Sequence, residues 1–374
     1  MTRKNKIILI SGTAARLVDF EKNGFFDRQR KLVNEYGKYF DVEYYTSDFA
    51  NYSDKLSVTH YNLPFRINIY GVRHILFWLY LVLRAPFMKG PIRVFGVAIP
   101  TLPLVKFLSR QKIVIGFQWD YAGQTKENYK GIKRLLAGYI EQASFFAADT
   151  VICTMNWLQN IAEQKYKKQT VVIPNFVDLE KFVRTEQKDD IILYAGRLHW
   201  SKGVEVLINA FGILKNEFNN FQLHICGDGE IRTKLEELIK KMEINDVKFH
   251  GVLRQDILAQ FMGKAKVFVL PTITYEGHPK ALIEAMVSGT ACVATDVPGN
   301  RDVITHGITG LLVKPDNVSE LCKAMKRIIG DDLLRTRLEK KSHQFASENY
   351  CIEHTLREEI RVMENITTKP NVGI

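Results

Sequence analysis

Short apolar, β-branched runs recur along this chain, and most stop at a glycine, a proline or a polar turn. In the first half they fall at residues 6–10, 41–46, 92–96, 112–117, 150–154 and 171–178. In the second they fall at 191–198, 221–230, 247–251, 266–271, 291–295 and 310–313. Runs of this length are strands, not helices. Most are separated by segments with helical spacing, such as Val204, Leu207, Ile208 and Phe211 after the run at 191–198. Strands alternating with helices form parallel sheets with helices packed on them. The polar tract TEQKDD (185–190) divides the two series and reads as the domain boundary. The pattern predicts an α/β chain of two similar Rossmann-like, doubly wound domains. A length of 374 residues agrees with roughly two domains of ~150 residues each.

Composition narrows the classes further. At 46% hydrophobic and 25% charged, the chain is ordinary globular material. Its five cysteines are scattered and lack any CxxC pairing, which argues against a disulfide framework or a zinc site and for a reducing compartment. No signal peptide is predicted, because the apolar run after MTRKNK is too short. The longest strongly apolar run, 75–83, has nine residues against the ~20 that span a bilayer.

Charge is unevenly placed. Residues 1–180 carry 25 basic against 15 acidic side chains, and the remainder 27 against 26. No acid occurs between Asp54 and Asp120, an interval with nine Lys or Arg. That bias suggests an anionic partner for the first half. Within it, RHILFWLYLVLRAPF (73–87) is apolar nearly all round with Arg near both ends. It reads either as a buried helix or as an interfacial helix on an anionic membrane. No nucleic-acid module is recognisable, so a nucleic-acid partner is not expected.

The densest chemistry lies in YEGHPKALIEAMVSG, residues 275–289. Pro279 predicts a helix start, Gly289 its end, and the run at 266–271 a strand just before. Strand, loop and helix N-terminus in an open α/β sheet make a ligand site, and free N–H groups there favour phosphate. Glu276 stands ahead of the helix and Glu284 inside it. Carboxylates beside a phosphate site suit hydroxyl partners such as those of a sugar. The loop AGRLHWSKG adds Arg197 and Lys202 at the same sheet edge, and Ser201 is predicted to cap the following helix. Two cations suit a diphosphate and require no metal. Neither the Walker-A string nor the dinucleotide fingerprint is present. In the first half, Asp120 follows the run at 112–117, either as a catalytic or acceptor-binding acid or as a helix cap.

GRLHWSKGVEVLI, LPTITYEGHPKALIEAMVSGTACVATDVPGNRDVI and HGITGLLV, in this order and spacing, resemble the donor domain of retaining, family 4 type glycosyltransferases. The resemblance covers residues 171–330; earlier residues match in rhythm only. It implies the GT-B fold, two Rossmann-like domains facing across a cleft. Residues 1–175 would then bind acceptor and 176–344 the sugar nucleotide, with the helix at about 345–374 packing back on the first domain. By the same resemblance, Arg197 and Lys202 hold the donor diphosphate, Glu276 meets the sugar and Glu284 the ribose. Backbone N–H groups at Gly277, His278, Pro279 and Lys280 lie at the phosphates (Pro279 itself has none to give), Gly12 permits close approach, and Val252 lines the base pocket. The sequence departs from the pattern where relatives carry a histidine after the fourth strand. GFQWDY has none, which leaves Gln118 or Asp120 for that role.

The expected activity is metal-independent, retaining transfer of a sugar from a nucleotide-diphosphate sugar to a glycan or glycolipid acceptor, without another cofactor. The expected setting is cell-surface polysaccharide or lipopolysaccharide synthesis, in the cytoplasm and peripheral on the inner face of the cytoplasmic membrane. A sugar-nucleotide 2-epimerase of similar fold and a non-catalytic sugar-nucleotide-binding protein are the alternatives.

Overall fold

A computed structural model describes residues 4–11, 26–48, 52, 54–64, 69–118, 131–182 and 184–368. The chain divides into two units. One comprises residues 1–174 together with 355–374, and the other comprises 175–354. The division falls before the polar tract at 185–190, because residues around that tract are tied to the second unit: Lys181 donates to Gln255 at 3.5 Å, and Lys188 donates to the Gly263 and Gly289 carbonyls at 2.7 and 2.9 Å.

The first unit contains β1 (Lys6–Ser11), α1 (Phe26–Tyr39), β2 (Asp41–Tyr45), β3 (Thr59–Tyr61) and α2 (Tyr70–Arg84). It continues with β4 (Ile92–Phe95), α3 (Leu102–Ser109), β5 (Ile113–Phe117), α4 (Ile132–Ala147), β6 (Thr150–Cys153), α5 (Asn156–Tyr166) and β7 (Gln169–Val172). Its sheet runs β3-β2-β1-β4-β5-β6-β7, with every described pairing parallel. This order reverses direction beside β1, as a doubly wound sheet does. The central strands are buried on both faces, which is why they read as continuous apolar runs. Strand β3 escapes sequence reading because THY is short and polar. Its buried His60 is instead held by hydrogen bonds to Thr46 and to the Tyr52 backbone.

The second unit contains β8 (Asp189–Ala195), α6 (Val204–Leu214), β9 (Gln222–Cys226), α7 (Arg232–Lys241), β10 (Val247–Gly251), α8 (Gln255–Lys264) and β11 (Ala265–Leu270). It ends with α9 (Lys280–Val287), β12 (Ala291–Thr295), α10 (Asn300–Val303), β13 (Leu311–Val313), α11 (Val318–Gly330) and α12 (Asp332–Asn349). The sheet order is β10-β9-β8-β11-β12-β13, again parallel, with its reversal between β8 and β11. Both domains are therefore Rossmann-like α/β units.

The last helix, α13 (Ile352–Thr368), returns the chain to the first unit from Thr355 onward. There Glu359 takes two hydrogen bonds from Arg93 of β4, at 3.0 and 3.2 Å, and a third from the Tyr36 hydroxyl. Arg93 is 1% exposed. A guanidinium this deep requires the matching carboxylate, so one ion pair fixes the helix to the sheet.

Candidate active site

In a doubly wound sheet, loops at the carboxyl ends of the two strands flanking the reversal border a crevice. In the second unit those strands are β8 and β11, so the loops are 196–203 and 271–279. Their backbones are joined directly, with the Ile273 N–H donating to the Ser201 carbonyl at 2.8 Å. Gly203 makes this contact possible. Its φ is +64°, and a Cβ there would lie 2.0 Å from the Pro271 carbonyl oxygen. A third loop closes on the second. The Glu276 N–H donates to the Pro298 carbonyl at 2.9 Å, and Gly299 lies so close that a Cβ would meet the Glu276 oxygen.

These loops bring Lys202 and Glu276 together. Lys202 Nζ stands 2.7 Å from Glu276 Oε1, which also accepts from the Thr272 hydroxyl. Glu276 is buried, so its charge is held by named partners and not by bulk water. Tyr194, on β8 below the loop, donates to the Arg197 carbonyl at 2.9 Å. Burial pushes the Tyr194 hydroxyl pKa well above its ordinary value, the Glu276 charge pushes it further, and Arg197 opposes. Tyr194 is thus within electrostatic reach of both Glu276 and Arg197. The Arg197 side chain itself is exposed.

The predicted helix begins one residue later than expected. Pro279 occupies the N-cap position (φ −75°) and α9 runs from Lys280. No side chain caps this end among the described residues. The Lys280 N–H is taken by the His278 carbonyl at 2.7 Å, so what this end turns to the crevice edge is the positive end of the helix dipole and the N–H groups that follow Lys280. Gly289 closes the helix at φ +63°. The predicted Ser201 cap is corrected. Residues Trp200–Lys202 form a 3-10 turn and Gly203 precedes α6, because only the left-handed conformation of Gly203 lets the loop reach Pro271.

Glu284, 4% exposed, lies on α9. Lys280 Nζ and Gln255 Nε2 each approach its Oε1 at 3.2 Å. Gln255 in turn accepts from Lys181 at 3.5 Å. Gly277 and His278 are half-buried in the loop, and the His278 ring meets Tyr350 edge-on at 5.9 Å. Val252 follows β10 and is 82% exposed. Gly12 and Asp120 lie outside the described residues. Gln118 is described, and its carbonyl accepts from the Thr154 hydroxyl at 3.4 Å.

Sequence reasoning missed Thr272, Gln255 and Asn300. Asn300 is fully buried and donates to the Thr295 carbonyl at 3.0 Å, while the Thr295 hydroxyl bonds the Thr272 carbonyl. These polar residues brace the loops from the adjacent strand. Only the small hydroxyl residues at the ends of the runs at 266–271 and 291–295 hinted at them.

Residues 176–345 match the model of the family described as glycosyl transferases group 1. The match spans nearly the whole of the second unit. Among curated relatives, the lipopolysaccharide core biosynthesis glycosyltransferase LpsE of Rhizobium meliloti is 28% identical over 258 residues, 65% of this chain and 74% of LpsE. Two glycosyltransferases of Methanocaldococcus jannaschii are matched over only about half their length, 47% and 55%. Among solved structures, sucrose-phosphate synthase from Thermosynechococcus elongatus has a TM-score of 0.77 at 20% identity, covering 97% of this chain and 99% of that one. Anabaena HepE in complex with UDP-glucose has a TM-score of 0.73 at 16% identity, covering 96% and 99%. The fold is therefore that of the two-domain GT-B glycosyltransferases.

Proposed function

We propose that the chain is a glycosyltransferase that moves a sugar from a nucleotide-diphosphate sugar to a hydroxyl of a glycan acceptor, with retention and without a metal. The observation that carries this is the pairing of Lys202 with Glu276 at the sheet reversal, beside the N-terminus of α9, which no side chain caps among the described residues. In this reading Arg197, Lys202 and the helix end receive the diphosphate. Glu276 faces the sugar hydroxyls, and Glu284 receives the ribose hydroxyls on the oxygen that Lys280 and Gln255 leave to one side. Complexes of HepE with UDP and with UDP-glucose support a nucleotide sugar as donor. LpsE supports a polysaccharide or lipopolysaccharide setting.

The chemistry follows from charge. As the bond between sugar and phosphate lengthens, negative charge grows on the leaving phosphate and positive charge on the sugar carbon. Cations preset at the phosphate stabilise that state more than the ground state. The acceptor hydroxyl attacks from the face the phosphate leaves and gives its proton to the departing oxygen, so no enzyme nucleophile is consumed.

A screen of sugar nucleotides by thermal stabilisation tests the donor, since a ligand that binds only the folded state raises its unfolding temperature. Stabilisation by at least one sugar nucleotide over its parent monophosphate is expected. Product analysis with that donor then separates the reactions. Transfer to an acceptor sustains the proposal, and an epimerised free donor overturns it. Lys202→Ala is expected to lower turnover by ~10²-fold or more, as loss of a group that meets developing charge does.

A further inference from the structure

The apolar segment at 73–87 is neither wholly buried nor wholly exposed. Helix α2 buries Phe77 and Leu81 against its own unit, yet exposes Val72, Ile75, Leu79 and Leu83. The exposed positions recur at three- and four-residue steps, so they form a second apolar stripe facing away from the core. Helix α3 repeats the arrangement. It buries Leu102 and Val105 and exposes Leu104, Phe107 and Leu108. Helix α4 buries Ala143 and Phe145 and exposes Leu135, Leu136, Tyr139 and Phe146.

Topology puts these stripes on one surface. The connections β3 to β4, β4 to β5 and β5 to β6 all advance the same way across the sheet. Right-handed crossovers then place α2, α3 and α4 on the same face, where α3 packs against both neighbours. Leu83 is 73% exposed, Phe107 77% and Phe146 75%, and each stands in the last turn of its helix, with exposed Phe87 just beyond α2. The cations gather at the same ends. Arg84 closes α2 and stacks over Tyr61, Lys89 follows it, and Arg110 caps α3. Lys89 and Arg110 are exposed. No acid lies in the sequence from 55 to 119. A monomer seldom leaves so contiguous an apolar surface in water.

We infer that this three-helix face docks on an anionic lipid bilayer. The aromatic and leucine tips enter the acyl boundary while Arg84, Lys89 and Arg110 meet lipid phosphates. Charge selects a bilayer over a second copy of the chain. Two such basic faces would oppose like charges, whereas an anionic headgroup layer complements them. Among the described residues no helix is long and apolar enough to cross a membrane, so the contact is interfacial. The inference stands apart from the donor reading, since it concerns only the first unit and its readout requires no turnover.

Co-sedimentation of the full chain with phosphatidylcholine vesicles, with and without phosphatidylglycerol, tests it. Binding to the anionic vesicles is expected. The triple variant Phe87→Glu, Phe107→Glu, Phe146→Glu should bind at least ~100-fold more weakly, as the apolar anchor is lost. The pair Lys89→Glu, Arg110→Glu should weaken binding ~10-fold or more, and less so at high salt. Circular dichroism and thermal unfolding check the fold of each variant. Should the triple variant unfold, the single Phe107→Glu replaces it and should still weaken binding measurably. Absence of wild-type binding at low salt, or triple-variant binding equal to wild type, overturns the inference. So does a wild-type dimer that ignores vesicles and becomes a monomer in the triple variant, as measured by light scattering.

Discussion

At the residue scale, buried polar groups show what holds this protein together. His60 is buried in the first unit, where its Nδ1 accepts the Tyr52 N–H at 3.1 Å and its Nε2 pairs with the Thr46 hydroxyl at 2.9 Å. Burial lowers its pKa to about 4. The unfolded chain therefore takes up the proton first as pH falls. The stabilisation is intact above about 6.5 and is lost between there and about 4, by ~3 kcal/mol from the shift. Denaturant unfolding at pH 7 and pH 4.5 is expected to show a smaller loss for His60→Gln than for wild type. Equal losses would contradict the assignment. The candidate site residues were legible at this scale where they are charged: Glu276, Glu284, Arg197 and Lys202 stand out as types and spacings, and the fold brings Lys202 and Glu276 together. Thr272 and Gln255 did not, because a threonine or glutamine near a strand end has many ordinary uses. Only the fold shows which carboxylate each one meets.

At the element scale, the site depends on loops touching at glycines. The β8 loop reaches the β11 loop only because Gly203 takes a left-handed conformation against the Pro271 carbonyl. Gly203→Ala combines that backbone penalty with a collision and should cost about 3 kcal/mol or more. Thermal unfolding checks this, with a drop of several degrees expected, and donor affinity should fall with it because Lys202 is the preceding residue. The strand–loop–helix unit around Glu276 was readable, since Pro279 and Gly289 punctuate it. The start of α6 was misread. Ser201 looks like a cap by type, but the contact with Pro271 assigns the turn to Gly203, and that contact spans distant sequence.

At the scale of the whole molecule, the strand–helix rhythm announced two α/β domains, and both sheets bear out that class. Strand order was not legible, because apolar runs of similar make-up do not say which neighbours they pair with. The return of the last helix to the first unit rests on Glu359 meeting Arg93, two residues far apart in sequence. Glu359→Ala leaves the guanidinium buried without its partner and should cost about 3–5 kcal/mol. Replacing both, as Arg93→Met with Glu359→Leu, should recover much of that loss in the same unfolding measurement.

In the proposed function, the second unit divides a nucleoside diphosphate between Lys202 and Glu284. Calorimetric titration of the nucleoside diphosphate found by the stabilisation screen, and of its 2′,3′-dideoxy analogue, tests this most directly. Wild type should prefer the parent compound by ~10-fold or more, since a buried carboxylate loses its hydroxyl partners with the analogue. Glu284→Ala should abolish that preference, and Lys202→Ala should weaken both compounds while keeping it. An undiminished preference in Glu284→Ala, or wild-type affinity in Lys202→Ala, would contradict the account.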